Sequence, residues 1–216
     1  MRKFQTCKLL IALLTSATLS FAQNAEKATP ASTSSPAPAS PASPYYLLIE
    51  PSFMKPPILT PVPGATQTLL VPSIKEGDKL RYLTKDEMRG LHMTRVQFDT
   101  MTKVNATKAL EQIQPHPIRG PKDIIEFMVL ETNNQLAASA VLAPGFGKRF
   151  ETTFGSDLIV LIPSRNLVYV FPKLEGRYNE MRDTIIDQYQ TSICPVSCEL
   201  FEVKDGEIEA IGTFRQ

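Results

Sequence analysis

Two near-continuous apolar runs, residues 157–162 and 167–171, dominate the second half of the chain. Only Pro163, Ser164, Arg165 and Asn166 separate them. Strands covered on both faces lose the usual polar alternation, so the pattern predicts two central strands joined by a four-residue turn. Elsewhere the apolar period is helical. Thr94 opens a helix to about residue 113, with Val96, Met101, Val104 and Leu110 on one side, and Pro115 and Pro117 end it. Thr84 with Glu87 three residues on has the form of a capping box, preceded by a short strand over 80–83. Phe146, Phe150 and Phe154 recur every four residues and predict one or two helical turns over 147–154. Residues 177–190 predict an amphipathic helix whose inner side carries Tyr178, Met181, Ile185 and Tyr189. Two further hairpins are predicted, 124–131 with 135–142 around Asn133 and Asn134, and 199–203 with 208–213 around Asp205 and Gly206.

Hairpins alternating with helices predict an α+β domain, a largely antiparallel sheet of hairpins with three or four packed helices. The stretch 45–76 reads differently. It is apolar yet carries Pro51, Pro56, Pro57, Pro61, Pro63 and Pro72. Proline removes the amide donor that helices and central strands need. An extended, proline-rich segment is expected there, with edge strands near 46–50 and 68–71, wrapping the surface of a domain formed by 77–216.

The N-terminal 44 residues have no core-forming pattern. Arg2, Lys3 and Lys8 precede an apolar run over 9–22, and Ser20 and Ala22 supply the small residues of a cleavage site before Gln23. This predicts a signal peptide over 1–22 and a periplasmic or secreted protein. Cys7 lies inside the run and Gln follows the expected cut, which excludes a lipoprotein. Residues 23–44 are mostly Ala, Ser, Pro and Thr, a composition expected to stay disordered. That tail is a spacer or a docking segment for an envelope protein partner. After residue 22 no apolar run reaches the roughly 20 residues that span a bilayer. Removing the signal leaves 20 basic and 22 acidic residues, interspersed, about −2 net. Without a basic stripe, nucleic-acid binding is excluded.

Several short stretches together resemble a known family. Lys79–Leu83 leads into Thr84–Met88, then come Val104-Asn105-Ala106 and the strand Gly155–Ile162 ending in Pro163-Ser164-Arg165-Asn166. Leu167–Phe171, Pro195–Ser197, Glu199–Phe201 and Asp205-Gly206 follow. Over about residues 77–210 this order is similar to the YtpQ-like family of bacterial proteins. The resemblance implies a fold and a special turn at 163–166, where Asn166 stands in place of the family's Asp. It implies no activity.

Candidate chemistry is sparse. Cys194 and Cys198 are the cysteines beyond the signal, and an exported pair predicts a disulfide across a turn at Pro195. The alternative is thiol-redox or copper chemistry at the same pair, since thiolates suit Cu(I). His92 and His116 have no partner at metal-binding spacing, so no metal site is expected. Ser139 and Ser156 lie in no nucleophile-elbow context, which argues against a Ser-His-Asp triad. Residues 145–149 lack the phosphate-loop pattern, and no cofactor is expected. The turn residues Ser164, Arg165 and Asn166 are the best ligand-binding candidates. A rigid turn there would hold the guanidinium outward for a carboxylate or phosphate group of a partner. The competing reading pairs Arg165 with a structural acid such as Asp157 and gives Asn166 a left-handed backbone. Taken together, the sequence predicts an exported, non-catalytic binding or assembly protein of the bacterial cell envelope, with thiol-redox or copper handling as the alternative.

Overall fold

The computed structural model describes residues 43–174, 176–204 and 207–214. The expected signal peptide, the tail as far as residue 42, and the Asp205–Gly206 turn lie outside them. Among the described residues every strand pairing is antiparallel, and the chain is α+β with two sheets.

The smaller sheet comes from the proline-rich segment. Strands β1 (Tyr45–Pro51), β2 (Thr60–Pro61), β3 (Thr68–Glu76) and β4 (Lys79–Tyr82) form it, with β3 pairing all three others. The expected surface wrap is therefore corrected. Leu48 and Ile49 of β1, together with Val62, belong to the main core. The prolines do not prevent this: Pro51 ends the edge strand β1, Pro61 lies in the two-residue β2, and Pro72 falls in β3 between its pairing with β2 at Leu69–Leu70 and its pairing with β4 from Ser73 on.

Helices α1 (Lys85–Gly90) and α2 (Arg95–Gln112) follow, each opened by a complete capping box, Thr84 with Glu87 and Thr94 with Gln97. Of the four residues expected on the inner face of α2, only Leu110 is buried. Val96 is 74% exposed and Val104 50%, while Phe98, Thr102, Asn105, Ala106, Ala109 and Leu110 are buried. Small residues win that face because β1 and another helix pack closely against it. Asn105 turns inward to donate to the carbonyls of Ser43 (2.8 Å) and Tyr45 (2.7 Å).

The larger sheet has six strands in the order β10-β9-β7-β8-β6-β5. These are β5 (His116–Arg119), β6 (Ile125–Glu131), β7 (Leu158–Ser164), β8 (Leu167–Pro172), β9 (Glu199–Lys204) and β10 (Glu207–Thr213). The two apolar runs are central and covered on both faces, as their pattern predicts. Leu158, Val160 and Ile162 face one core; Ile159 and Leu161 face the other. β7 and β8 are joined through Arg165 and Asn166, with Ser164 already paired to Leu167, so the turn is two residues shorter than expected. β5 escapes the pattern because all four residues are exposed and one is Pro117, tolerated at an edge.

The predicted hairpin over 124–131 and 135–142 does not form. β6 pairs with β5 and β8, and residues 137–140 are the short buried helix α3 (Ala137–Ala140). Alanine favours helix over strand, and this run is alanine-rich. Helix α4 (Phe146–Phe154) buries Phe146 and Phe150 against the same core. On the far face, a 3-10 turn (Arg177–Met181) runs into α5 (Arg182–Thr191), where Ile185 is buried and Tyr178, Met181 and Tyr189 pack around it.

Candidate functional site

The predicted special turn is a junction of four segments. Arg165 does not point outward. Its Nε donates to Glu50 Oε1 at 2.6 Å and its Nη2 to Glu50 Oε2 at 2.9 Å, a bidentate pair between the β7–β8 turn and β1. Arg165 Nη1 also donates to Gln135 Oε1 (3.2 Å), and the Tyr82 hydroxyl donates to Glu50 Oε2 (2.9 Å) while accepting from Arg165 Nη2 (3.3 Å). The Glu50 side chain is 1% exposed and that of Arg165 12%. Burial opposes the charge on Arg165, but the hydrogen bonds and charge of Glu50 outweigh it and hold the guanidinium above its ordinary range. The partner is Glu50, not Asp157, and the pairing satisfies the carboxylate that β1 takes into the core.

The turn's backbone is tied as firmly. Arg165 N donates to the Cys194 carbonyl (3.0 Å), Ala138 N to the Arg165 carbonyl (3.1 Å) and Thr132 N to the Asn166 carbonyl (2.9 Å). Ser164 is buried, and Asn166 Oδ1 is buried without a hydrogen-bond partner. Asn166 does not take the left-handed backbone. The positive φ falls on Gln135 (62°), whose side chain reaches Arg165.

No disulfide joins Cys194 and Cys198 in the structure; Cys194 is half-buried and Cys198 buried. The local reason is the course of the chain. Arg165 N donates to the Cys194 carbonyl, Val196 N to the Pro163 carbonyl and Ser197 N to the Ile162 carbonyl. The segment thus advances alongside β7, with Pro195 bridged to Ser164, in place of the turn a bridge would need. Among the described residues no group of three or more His, Cys, Asp or Glu side chains is placed to hold a metal ion. His92 and His116 are exposed on separate elements, α1's trailing turn and β5. Within 145–149, Arg149 closes the end of α2 by donating to the carbonyls of Leu110 and Ile113.

A second buried carboxylate escaped the sequence reading. Glu199 accepts from Thr66 N (2.7 Å), Gln67 N (3.2 Å), Thr66 Oγ1 (3.0 Å) and Thr68 Oγ1 (2.5 Å). It clasps the loop before β3 to β9. Gly64, in that loop at φ +70°, lies where a Cβ would meet the Ala210 carbonyl oxygen at 2.2 Å, so only glycine allows the approach to β10.

The structure also contains a cleft of about 260 Å³ between β1, β3 and α2 that the sequence did not disclose. Tyr46, Leu47, Leu70, Ala106 and Leu142 give it apolar walls. Its mouth carries two ion pairs, Arg95 with Asp99 (2.8 Å) and Lys103 with Glu207 (2.8 Å), and Arg95 also donates to Thr60 Oγ1 (3.1 Å). Ser139 of α3 lines the cleft as well, 1% exposed, and its hydroxyl has no hydrogen-bond partner in the protein. Arg165 and Glu50 face each other, and Glu199 faces Thr66, Gln67 and Thr68; the buried side-chain atoms without a partner among the described residues are Thr132 Oγ1, Ser139 Oγ and Asn166 Oδ1.

Comparison with known proteins gave no match to a family model, a curated protein or a solved structure.

Proposed function

We propose that this chain is a non-catalytic binding protein exported to the bacterial cell envelope, and that the cleft between β1, β3 and α2 is its binding site. One contrast carries the reading. The buried carboxylates Glu50 and Glu199 are matched by donors from the chain itself, which is the pattern of groups that hold a fold together. The cleft combines an apolar interior with a few polar groups, the composition of small-molecule sites. The resemblance of residues 77–210 to the YtpQ-like family belongs to the same proposal and brings no activity with it. The tail 23–44 is the proposed contact with an envelope partner, so its deletion removes that partner.

An NMR screen of the labelled protein against a small-molecule library tests the site. Hits are expected to shift the amides of Tyr46, Ala106 and Leu142; hits confined to other surfaces, or turnover of any library member, would overturn it. N-terminal sequencing from the envelope fraction tests the address. Gln23 is the expected first residue, and Met1 recovered from cytosol would remove the envelope from the proposal.

A further inference from the structure

We infer that the loop between β1 and β2, with the start of α2 beside it, seats the protein on an anionic lipid surface: Phe53, Met54 and Leu59 enter the headgroup layer and Lys55 meets lipid phosphate. The inference goes beyond the reading of the cleft and does not depend on it.

Residues 52–59 leave β1 on one side of β3 and return as β2 on the other. The loop is fixed at both ends. Ser52 N donates to the Gln67 carbonyl (2.7 Å), Lys55 N donates to the Ser52 carbonyl (3.3 Å) across a 3-10 turn, and Thr60 pairs with Leu70. Pro56 is buried and Ile58 half-buried, so the loop is also packed down at its middle. Yet Phe53, Met54 and Leu59 all stand out of it, Phe53 by 56%. Arg95 Nη1 donates to Thr60 Oγ1 (3.1 Å), which sets the start of α2 beside the end of this loop. Met93 and Val96 are exposed there as well. Large apolar side chains that gather in this way, rather than scattering singly, mark a protein or membrane contact.

Charge separates the two. Residues 52–60 and 91–97 include Lys55, His92 and Arg95 and no acid. Arg95 is answered by Asp99 (2.8 Å), whereas Lys55 has no ion pair among the described residues. It follows directly on Met54, so an unmatched cation stands next to the apolar side chains. Apolar groups edged by such a cation match a bilayer, where phosphate overlies hydrocarbon. Pro56 and Pro57 have no amide hydrogen, which removes donors that a protein partner adding a strand here would use.

The test uses the isotope-labelled full-length chain and bicelles carrying a spin-labelled lipid, which broadens the amides that reach the headgroups. One set holds equal parts phosphatidylglycerol and phosphatidylcholine, the other phosphatidylcholine alone. Broadening is expected at Phe53, Met54, Leu59 and Val96 and to be stronger with phosphatidylglycerol. Leu174 and Ile193, apolar and exposed on other segments, should stay sharp. The lipid concentration that half-broadens Val96 should rise about tenfold in Phe53→Ser. In Lys55→Gln it should rise about fivefold with phosphatidylglycerol present and not change without it. Equal broadening at Leu174 and Ile193, which attachment through the apolar run 9–22 would give, overturns the inference, as does no broadening or no preference for phosphatidylglycerol. Shifts at the same amides that grow with protein concentration in the absence of lipid would make the region a contact between copies of this chain and overturn the lipid reading too. Should the variants fail to fold, the pattern of broadening on the wild type and its dependence on phosphatidylglycerol decide.

Discussion

Glu50 and Arg165 illustrate how a single buried charge sets requirements on the rest of a chain. A carboxylate at 1% exposure is tolerable only when donors surround it, and for Glu50 the chief donor is a cation. Glu50→Gln or Arg165→Leu alone should therefore destabilise the protein by about 3–5 kcal/mol in urea unfolding, because each leaves the other charge buried and unmatched. Replacing both with apolar residues of similar volume should cost much less than the sum, and a double-mutant cycle reads the difference. Tyr82 gives an independent check. Burial first, then the charge of Glu50 and the hydrogen bond to it, push its phenol from 10.0 up to about 12. A raised acid is neutral in the folded state, so its contribution is complete below pH 10 and is lost as pH rises towards 12. Wild type should lose stability across that window more steeply than Tyr82→Phe. Glu50 was legible in principle. It is one acid in the run Tyr45–Pro51, and β1 could not bury that run without finding it a counter-charge. Its partner was not legible, because Asp157 lies closer in sequence than the residue that the fold brings to Arg165.

At the scale of elements, the helix starts were written in the sequence, since a capping box is a local bargain between residues three apart. Thr94→Ala should cost about 1 kcal/mol, measured by thermal or urea unfolding. At α1 the guanidinium of Arg81, then the backbone and hydroxyl of Thr84, hold the Glu87 carboxyl down at about 2 from an ordinary 4.5. Its contribution is present above pH 4.5 and disappears as pH falls towards 2, so Glu87→Gln should flatten the acid side of the stability profile. The inner face of α2 was misread for a physical reason. The series Val96, Met101, Val104 and Leu110 shares only Leu110 with the buried face, where Phe98 packs on Tyr45 and the small residues Thr102, Ala106 and Ala109 are buried. Val96→Lys should accordingly shift stability by no more than about 0.5 kcal/mol. Ala109→Leu should cost about 1–3 kcal/mol by overpacking. The strand expected over 135–142 is a helix at its centre because a short apolar stretch has no decisive period; its alanines are the available signal.

For the whole molecule, the informative difference concerns residues 45–76. Proline content suggested a surface wrapping, and the central sheet was legible without it. The structure places Leu48, Ile49 and Val62 in the main core and routes the partners of both Arg165 and Glu199 through this segment. A fragment beginning at Gly77 should therefore fail to fold, giving collapsed amide dispersion in NMR and no cooperative melt; a well-dispersed spectrum would show that 77–216 is self-sufficient. The Glu50–Arg165 pair also bears on the order of assembly. The two residues are 115 positions apart, so synthesis from the N-terminus exposes the acid long before its guanidinium exists. Until then Glu50 does better in water than in any partial core. Closure of the first sheet onto Glu50 should therefore wait for the β7–β8 turn, a long-range step that is expected to slow folding.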